Sequence, residues 1–305
     1  MFVDKKHNLI VLVGPTAVGK TALGIKLAKH FGTEIISADS RQMIKELHIG
    51  TAAPSDEELA QAKHHFIKSI SVTDYYNASM FENEVHGLLQ ELFQKYSHSP
   101  ILMVGGSTLY VDAVCYGIDD LPTVDPDLRK QLMEQYHNEG IDFLRQQLKI
   151  LDPEHYLKVD LRNPNRMLKA IEISLMTGKP YSSLLTATRK KRDFNIIKVG
   201  VNRERQELFQ RINQRVDNMI LEGLVDEVKS LLYARNSNAL KTVGYREIFN
   251  YLDGNVTLEE AVEQIKTNTR RYAKRQITWF SRDKSIPWFH PDQTEQILEY
   301  INAKL

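Results

Sequence analysis

An α/β fold built on a parallel sheet is predicted by three features of the sequence. Short aliphatic runs end at glycine or aspartate, helical periods lie between them, and a long strand-free stretch sits inside that alternation. Leu9 to Val13 is a continuous apolar run ending at Gly14, the pattern of a strand buried on both faces. After Lys20 the period changes: Leu23, Leu27, Ala28 and Phe31 share one helical face, and Gly32 is placed to end the helix. Glu34 to Ala38 reads as a second strand ending at Asp39. Helical material follows around Ser79 to Tyr96, and Ile101 to Val104 reads as a third strand ending at Gly105-Gly106. Ligands of such sheets gather beyond the carboxyl ends of the strands, so the loops Gly14 to Thr21, Asp39 to Gln42 and Gly105 to Tyr110 are expected to converge.

From Asp119 the texture changes. Asp125 is placed to cap a helix with Pro126 at its first position, and Asn163-Pro164 repeats that device. Met167, Leu168, Ile171 and Leu175 then keep a helical period until Gly178 and Pro180 end it. A strand signal returns at Ile196 to Val201, which is expected to rejoin the first sheet. Residues 117–194 therefore read as an all-helical insertion domain, and residues 1–116 with 195–305 as an α/β core with C-terminal helices. Leu208, Ile212, Val216 and Met219 stand at helical spacing, and Leu258 to Phe280 forms a last amphipathic segment; Trp279, Phe280 and Trp288 are expected in the core.

Composition bounds the function. With 305 residues and 42% hydrophobic content the chain can build about two cores, which excludes a disordered or collagenous protein. Forty Lys and Arg against 39 Asp and Glu leave a net charge of +1, so any anion site must be local. The single cysteine, Cys115, excludes an internal disulfide or multi-cysteine zinc site and fits a reducing compartment. The polar N-terminus and the short run behind it fit neither a signal peptide nor a membrane span, so a cytoplasmic protein with no membrane contact is expected. Ten histidines show no HExxH-type spacing, and the adjacent His64-His65 read as surface or loop residues. The run Arg189 to Arg192 reads equally as a grip on RNA phosphates or a solvated face. Arg211 with Arg215, and Arg271 with Arg275, share helical faces where surface ion pairing is an ordinary explanation.

Gly14-Pro15-Thr16-Ala17-Val18-Gly19-Lys20-Thr21 satisfies the phosphate-loop pattern, with the strand before and the helix after that its mechanism demands. Glycines let backbone N–H groups turn around an anion, and the helix N-terminus adds roughly half a positive charge. Lys20 supplies a point charge, and the Thr21 hydroxyl can bind Mg²⁺. The loop establishes phosphate binding without naming the phosphate's owner. Asp39, at the sheet's carboxyl edge, fits a Mg²⁺ ligand, a general base or the cap of the next turn. Ser40, Arg41 and Gln42 add hydroxyl, guanidinium and amide groups suited to a base or ring edge.

These segments together resemble the tRNA dimethylallyltransferases, also called tRNA isopentenyltransferases. Gly14 to Thr21 is similar to the family's GPTASGKT loop, with Val18 in place of serine, and Ile36 to Gln42 resembles its ISADSxQ segment. Ile49-Gly50-Thr51-Ala52, Val104 to Tyr110, Asn163 to Glu172, Gly244-Tyr245-Arg246-Glu247 and Arg271 to Trp279 match further family segments in order along essentially the whole chain. The resemblance implies a P-loop NTPase-like α/β sheet with a helical insertion that binds tRNA. The implied reaction transfers a dimethylallyl group from dimethylallyl diphosphate to N6 of the adenine 3′ of the anticodon, with Mg²⁺ as cofactor.

Carried over by position, the loop residues hold the donor's diphosphate, Lys20 and Thr21 with Mg²⁺ neutralise it, and Arg166 and Arg215 add charge. Asp39 matches the family's base, and Ser107 joins it as a catalytic residue. Asp39, Ser40, Arg41, Gln42, Ser107, Arg129, Asn165, Arg166, Met167, Leu168 and Lys169 match positions that touch RNA. Ser107-Thr108 replaces the family's Thr-Gly, and Met43 to Glu46 departs from its V-Y-R-G. A monomer is expected. A P-loop nucleotide or nucleoside kinase shares the loop and fold but needs ATP, and a non-catalytic RNA-binding module would bind without turnover.

Overall fold

The computed structural model describes residues 7–119, 121–123, 125–186 and 189–305. One unit runs to Tyr116 and resumes at Lys191; the second comprises Gly117–Lys190. In the first unit β1 (Asn8–Val13) leads into α1 (Lys20–Phe31), then β2 (Ile35–Ala38), α2 (Asp56–Gln61), β3 (His64–His65), α3 (Ala78–Lys95), β4 (Ile101–Gly105) and α4 (Thr108–Tyr116). The second holds α5 (Pro126–Glu139), α6 (Ile141–Leu151), α7 (Pro153–Lys158), α8 (Pro164–Thr177) and α9 (Tyr181–Leu184). The chain re-enters the first unit as β5 (Asn195–Val201), followed by α10 (Arg205–Leu221), α11 (Leu224–Ser230), α12 (Tyr245–Leu252), α13 (Leu258–Phe280), β6 (Trp288–Phe289) and α14 (Thr294–Asn302).

The described strands form one parallel sheet in the order β3-β2-β4-β1-β5-β6. Alternation along β1 explains its unbroken apolar run: Leu9, Val11 and Val13 pack with Phe81, Leu89 and Met103 on one face, while Ile10 and Leu12 pack with Leu23, Leu27 and Val199 on the other. Because β2, β4 and β1 are neighbours, their carboxyl ends bring three loops side by side. Pairing of Val13 with Gly105, and of Ala38 with Gly105, sets their register.

Several sequence expectations are corrected. His64 and His65 form the edge strand β3 rather than a loop, and the His65 ring pairs with the buried carboxylate of Glu34. Phe194 is buried in the sheet's core and Arg192 pairs with the buried Glu82, so the helical unit ends at 190 rather than 194. Arg192 is therefore neither a solvated charge nor a phosphate grip. Phe280 is buried as expected, whereas Trp279 and Trp288 are only partly buried against the same core. In the helical unit Leu132, Leu144, Leu148, Met167, Leu168 and Ile171 form a separate core. Asp125 and Asn163 cap α5 and α8 as their spacing predicts. Among the described residues no helix is long and apolar enough to cross a membrane.

Candidate active site at the carboxyl ends of the strands

The loop Gly14–Thr21 joins β1 to α1. Ala17 and Gly19 both adopt left-handed backbone, with φ of 64° and 108°. For Ala17 that conformation costs about 1–2 kcal/mol, so the surroundings must hold it. Two arginines grip the loop's carbonyls: Arg211 Nε donates to Ala17 O and Arg203 Nε to Val18 O, each at 2.9 Å. No side chain caps α1, so the first-turn N–H groups of that helix suit an anion. Lys20 Nζ donates to Pro15 O at 2.7 Å. Burial lowers the Lys20 ammonium to about 8, with Asp39 opposing and Arg215 adding to the shift. Arg215 NH1 reaches Thr16 Oγ1 at 3.5 Å. Burial, then the neighbouring Arg211, holds the Arg215 guanidinium below its ordinary value.

Asp39 ends β2. Its Oδ1 accepts from the backbone N–H of Arg41 at 3.0 Å and of Gln42 at 3.5 Å, so one oxygen caps the turn. Among the described residues Oδ2 has no hydrogen-bond partner. One oxygen of this carboxylate is thus committed to the turn and the other is not. Ser107, after β4, ties the second loop to the third: Ser107 Oγ accepts from Ser40 N at 2.9 Å and donates to Ser40 Oγ at 3.2 Å. The hydroxyl that replaces the family's threonine thus acts on the backbone beside Asp39.

Gln276, on α13, joins the first and third loops. Its Oε1 accepts from Thr16 N and its Nε2 donates to Gly106 O, both at 2.8 Å. A Cβ at Gly106 would stand 2.4 Å from Gln276 Nε2, so any side chain there would displace the bridge. Gln42 Nε2 donates to Thr51 O and Ala52 O at 3.3 and 3.0 Å. Both of its N–H groups are therefore committed within the protein, and only its Oε1 is left to read a partner. Glu227 holds the segment that Gln42 reaches: its carboxylate accepts from the N–H groups of His48, Ile49 and Gly50 and from the Tyr245 hydroxyl.

Thr16, Lys20, Thr21, Asp39, Gln42, Arg211, Arg215, Tyr272 and Gln276 line one cleft of about 800 Å³. Tyr272 stands within the field of Asp39 and Arg41, and burial first, then Asp39, pushes its phenol up. Thr21 and Asp39 offer hard oxygen donors, while among the described residues no group of three or more His, Cys, Asp or Glu side chains converges. Such a donor set fits Mg²⁺ shared with phosphate oxygens and water, not an ion caged by protein.

Arg129, on α5, and Asn165, Arg166, Met167, Leu168 and Lys169, on α8, belong to the helical unit. Met167 and Leu168 are 0% and 1% exposed. Their side chains face that unit's core, which leaves only their backbone to meet a partner; Asn165 and Arg166 are exposed and Lys169 half-buried. Arg203, Arg211, Gln276 and Glu227 were missed as site residues. Only Gln276 and Arg211 carried a signal, the first within a family segment and the second four residues before Arg215 on one helical face.

The fold and site define a phosphate-loop α/β protein whose anion cradle shares a cleft with a turn-capping aspartate. The chain belongs to the IPP transferase family, whose model matches residues 42–283. It is 55% identical over 303 residues to a tRNA dimethylallyltransferase 2 of Azobacteroides pseudotrichonymphae and 52% identical over 298 residues to a tRNA dimethylallyltransferase 1 of Bacteroides fragilis. Each alignment covers 98% of both chains. A solved tRNA isopentenylpyrophosphate transferase from Bacillus halodurans superposes with a TM-score of 0.71 at 35% identity, covering 98% of this chain and 97% of that one. A eukaryotic dimethylallyltransferase described as acting on tRNA superposes with a TM-score of 0.75 at 26% identity, over 93% of this chain and 74% of that one.

Proposed function

We propose that this chain transfers a dimethylallyl group from dimethylallyl diphosphate to N6 of the adenine 3′ of the anticodon in tRNA, releasing diphosphate. The observation that carries the reading is the placement of the phosphate loop and Asp39 in one cleft, with the loops that hold them bridged by Gln276 and Ser107. The names of relatives at more than half identity over nearly the whole chain support it.

In the transfer the bond between C1 of the donor and its diphosphate oxygen breaks, a C1–N6 bond forms, and N6 loses one proton. The exocyclic amine is a poor nucleophile because its lone pair is delocalised into the ring. Asp39 accepts its hydrogen bond through Oδ2, the oxygen the turn leaves uncommitted, a contribution typically worth 10² to 10⁴-fold. The larger share comes from holding the departing diphosphate against the loop N–H groups, Lys20 and Arg215, and from orienting donor against acceptor. Mg²⁺, held by Thr21 together with phosphate oxygens, would supply further neutralising charge.

Adenine inside a stacked anticodon loop is out of reach, so it must be extruded at a cost of a few kcal/mol. Ser40 and Arg41, with the Gln42 Oε1, form the polar edge that receives it. Arg129, Asn165, Arg166 and Lys169 of the helical unit make the remaining RNA contacts. The chain works as a cytoplasmic monomer. The test supplies labelled dimethylallyl diphosphate and an anticodon stem-loop carrying three consecutive adenines, in parallel with ATP labelled at the γ-phosphate. Label from the prenyl donor enters the RNA and none from ATP; phosphoryl transfer without prenyl incorporation would replace this reading with a P-loop kinase.

A further inference from the structure

Glu172 lies on α8 three residues after Lys169, so the two share a helix face. Its side chain is 0% exposed and neither carboxylate oxygen has a hydrogen-bond partner. Arg129 of α5 approaches Oε1 with its Nε at 3.3 Å as an ion pair, while its own side chain is 42% exposed. Burial pushes the Glu172 carboxyl up and the Lys169 ammonium down; Arg129 and Lys169 oppose the first shift, and Glu172 opposes the second. The residues around Glu172 on α8, Leu168, Ala170 and Ile171, belong to an apolar core. An apolar side chain at 172 would serve stability at least as well as this carboxylate.

What the carboxylate does instead is pair with Arg129 in the field of Lys169, which lies one turn away on the same helix. Arg129 Nη1 and Nη2 and Lys169 Nζ have no acceptor among the described residues, so their donors are left over for a ligand. A paired guanidinium and ammonium of this kind matches the oxygens of a phosphodiester. We infer that Glu172 is a positioning residue that fixes Arg129 and Lys169 as one phosphate-binding subsite for the RNA backbone of the anticodon stem-loop. The inference rests on the proposed tRNA substrate and deepens it.

Glu172→Gln in the full chain separates positioning from bulk charge, because the two give opposite signs. Removing a negative charge beside two cations tightens RNA binding and steepens its salt dependence if only net charge matters. Loss of positioning weakens stem-loop binding about tenfold and makes the slope of log K against log salt shallower by about one. The KM for the stem-loop rises while kcat at saturation and the KM for dimethylallyl diphosphate stay within about twofold. The Arg129→Ala, Glu172→Gln double variant weakens no further than Arg129→Ala; additive losses would overturn the inference.

Arg129→Lys gives the same readout from the exposed partner, keeping the charge and losing the Nε contact, and wild-type affinity in it would also overturn the inference. A wild-type chain that neither binds nor alkylates the stem-loop removes the proposed function and this subsite with it. A working wild type with unchanged or tighter binding by the Glu172→Gln variant removes the subsite alone.

Discussion

Replacing Gln276 with leucine keeps the volume of the buried side chain nearly constant and deletes both ends of the bridge between the first and third loops. The Gly106 carbonyl, buried where Gln276 reaches it, loses its donor, and the half-buried Thr16 N–H loses its acceptor. An unpaired buried backbone group costs about 1–3 kcal/mol, and the Thr16 group, nearer water, costs less. The sum of about 2–4 kcal/mol is a large part of a typical total of about 5–15 kcal/mol. It corresponds to a fall in Tm of roughly 5–15 °C for a chain of this size. The Thr16 amide belongs to the phosphate loop, so the KM for the diphosphate donor rises with the loss. Gln276→Glu keeps the acceptor for Thr16 N but sets a carboxylate oxygen against Gly106 O, so its defect is at least as large at neutral pH and eases as the pH falls. Thermal denaturation and steady-state kinetics on the three proteins measure both effects. A leucine variant that melts within about 2 °C of wild type and keeps its donor KM would refute the bridge.

Three further outcomes are expected. Asp39→Asn retains an Oδ1 that caps Arg41 N, so folding and donor affinity persist while kcat falls by about 10² to 10⁴; a near wild-type single-turnover rate would remove Asp39 from the chemistry. Lys20→Met raises the donor KM and leaves stem-loop affinity within a few fold, measured by titrating each substrate separately. Glu34 gives the acid limb of stability: burial pushes its carboxyl up, but hydrogen bonds from Lys95, His65, Tyr96 and Lys63 prevail and hold it at about 2. Its folded value lies below its unfolded one, so the stabilisation is present above pH 4.5 and lost as pH falls from 4.5 toward 2. Glu34→Gln flattens that limb in acid-denaturation curves, and an unaltered limb would place the acid sensitivity elsewhere.

The α/β core was legible because its signals are local. Leu9 to Val13 must be buried on both faces to read as it does, and Gly32 and Gly178 stop helices by adopting left-handed backbone that other residues resist. The edge strands His64–His65 and Trp288–Phe289 were missed because two residues carry no period. Met167 and Leu168 fell inside a family segment that touches RNA, yet helical geometry turns both into the core. Position in a segment says nothing about which way a side chain faces. Arg203, Arg211 and Glu227 escaped for a different reason: their partners lie at Val18, Ala17 and His48 to Gly50, more than 170 residues away. Only the closed fold brings such pairs together. Asp39 was legible as a position but not as a role, and the structure shows it lining the cleft with Oδ1 committed to the turn.

The most direct measurement follows one turnover with dimethylallyl diphosphate and an anticodon stem-loop, quantifying released diphosphate and locating the alkyl group by mass spectrometry of the digested RNA. The expected result is one diphosphate for each prenylated adenine, with the group on N6 of the base 3′ of the anticodon, and no product when inosine, which lacks the exocyclic amine, replaces that adenine. Diphosphate release without alkylated RNA, or a product that persists with inosine, would contradict the assignment of the cleft.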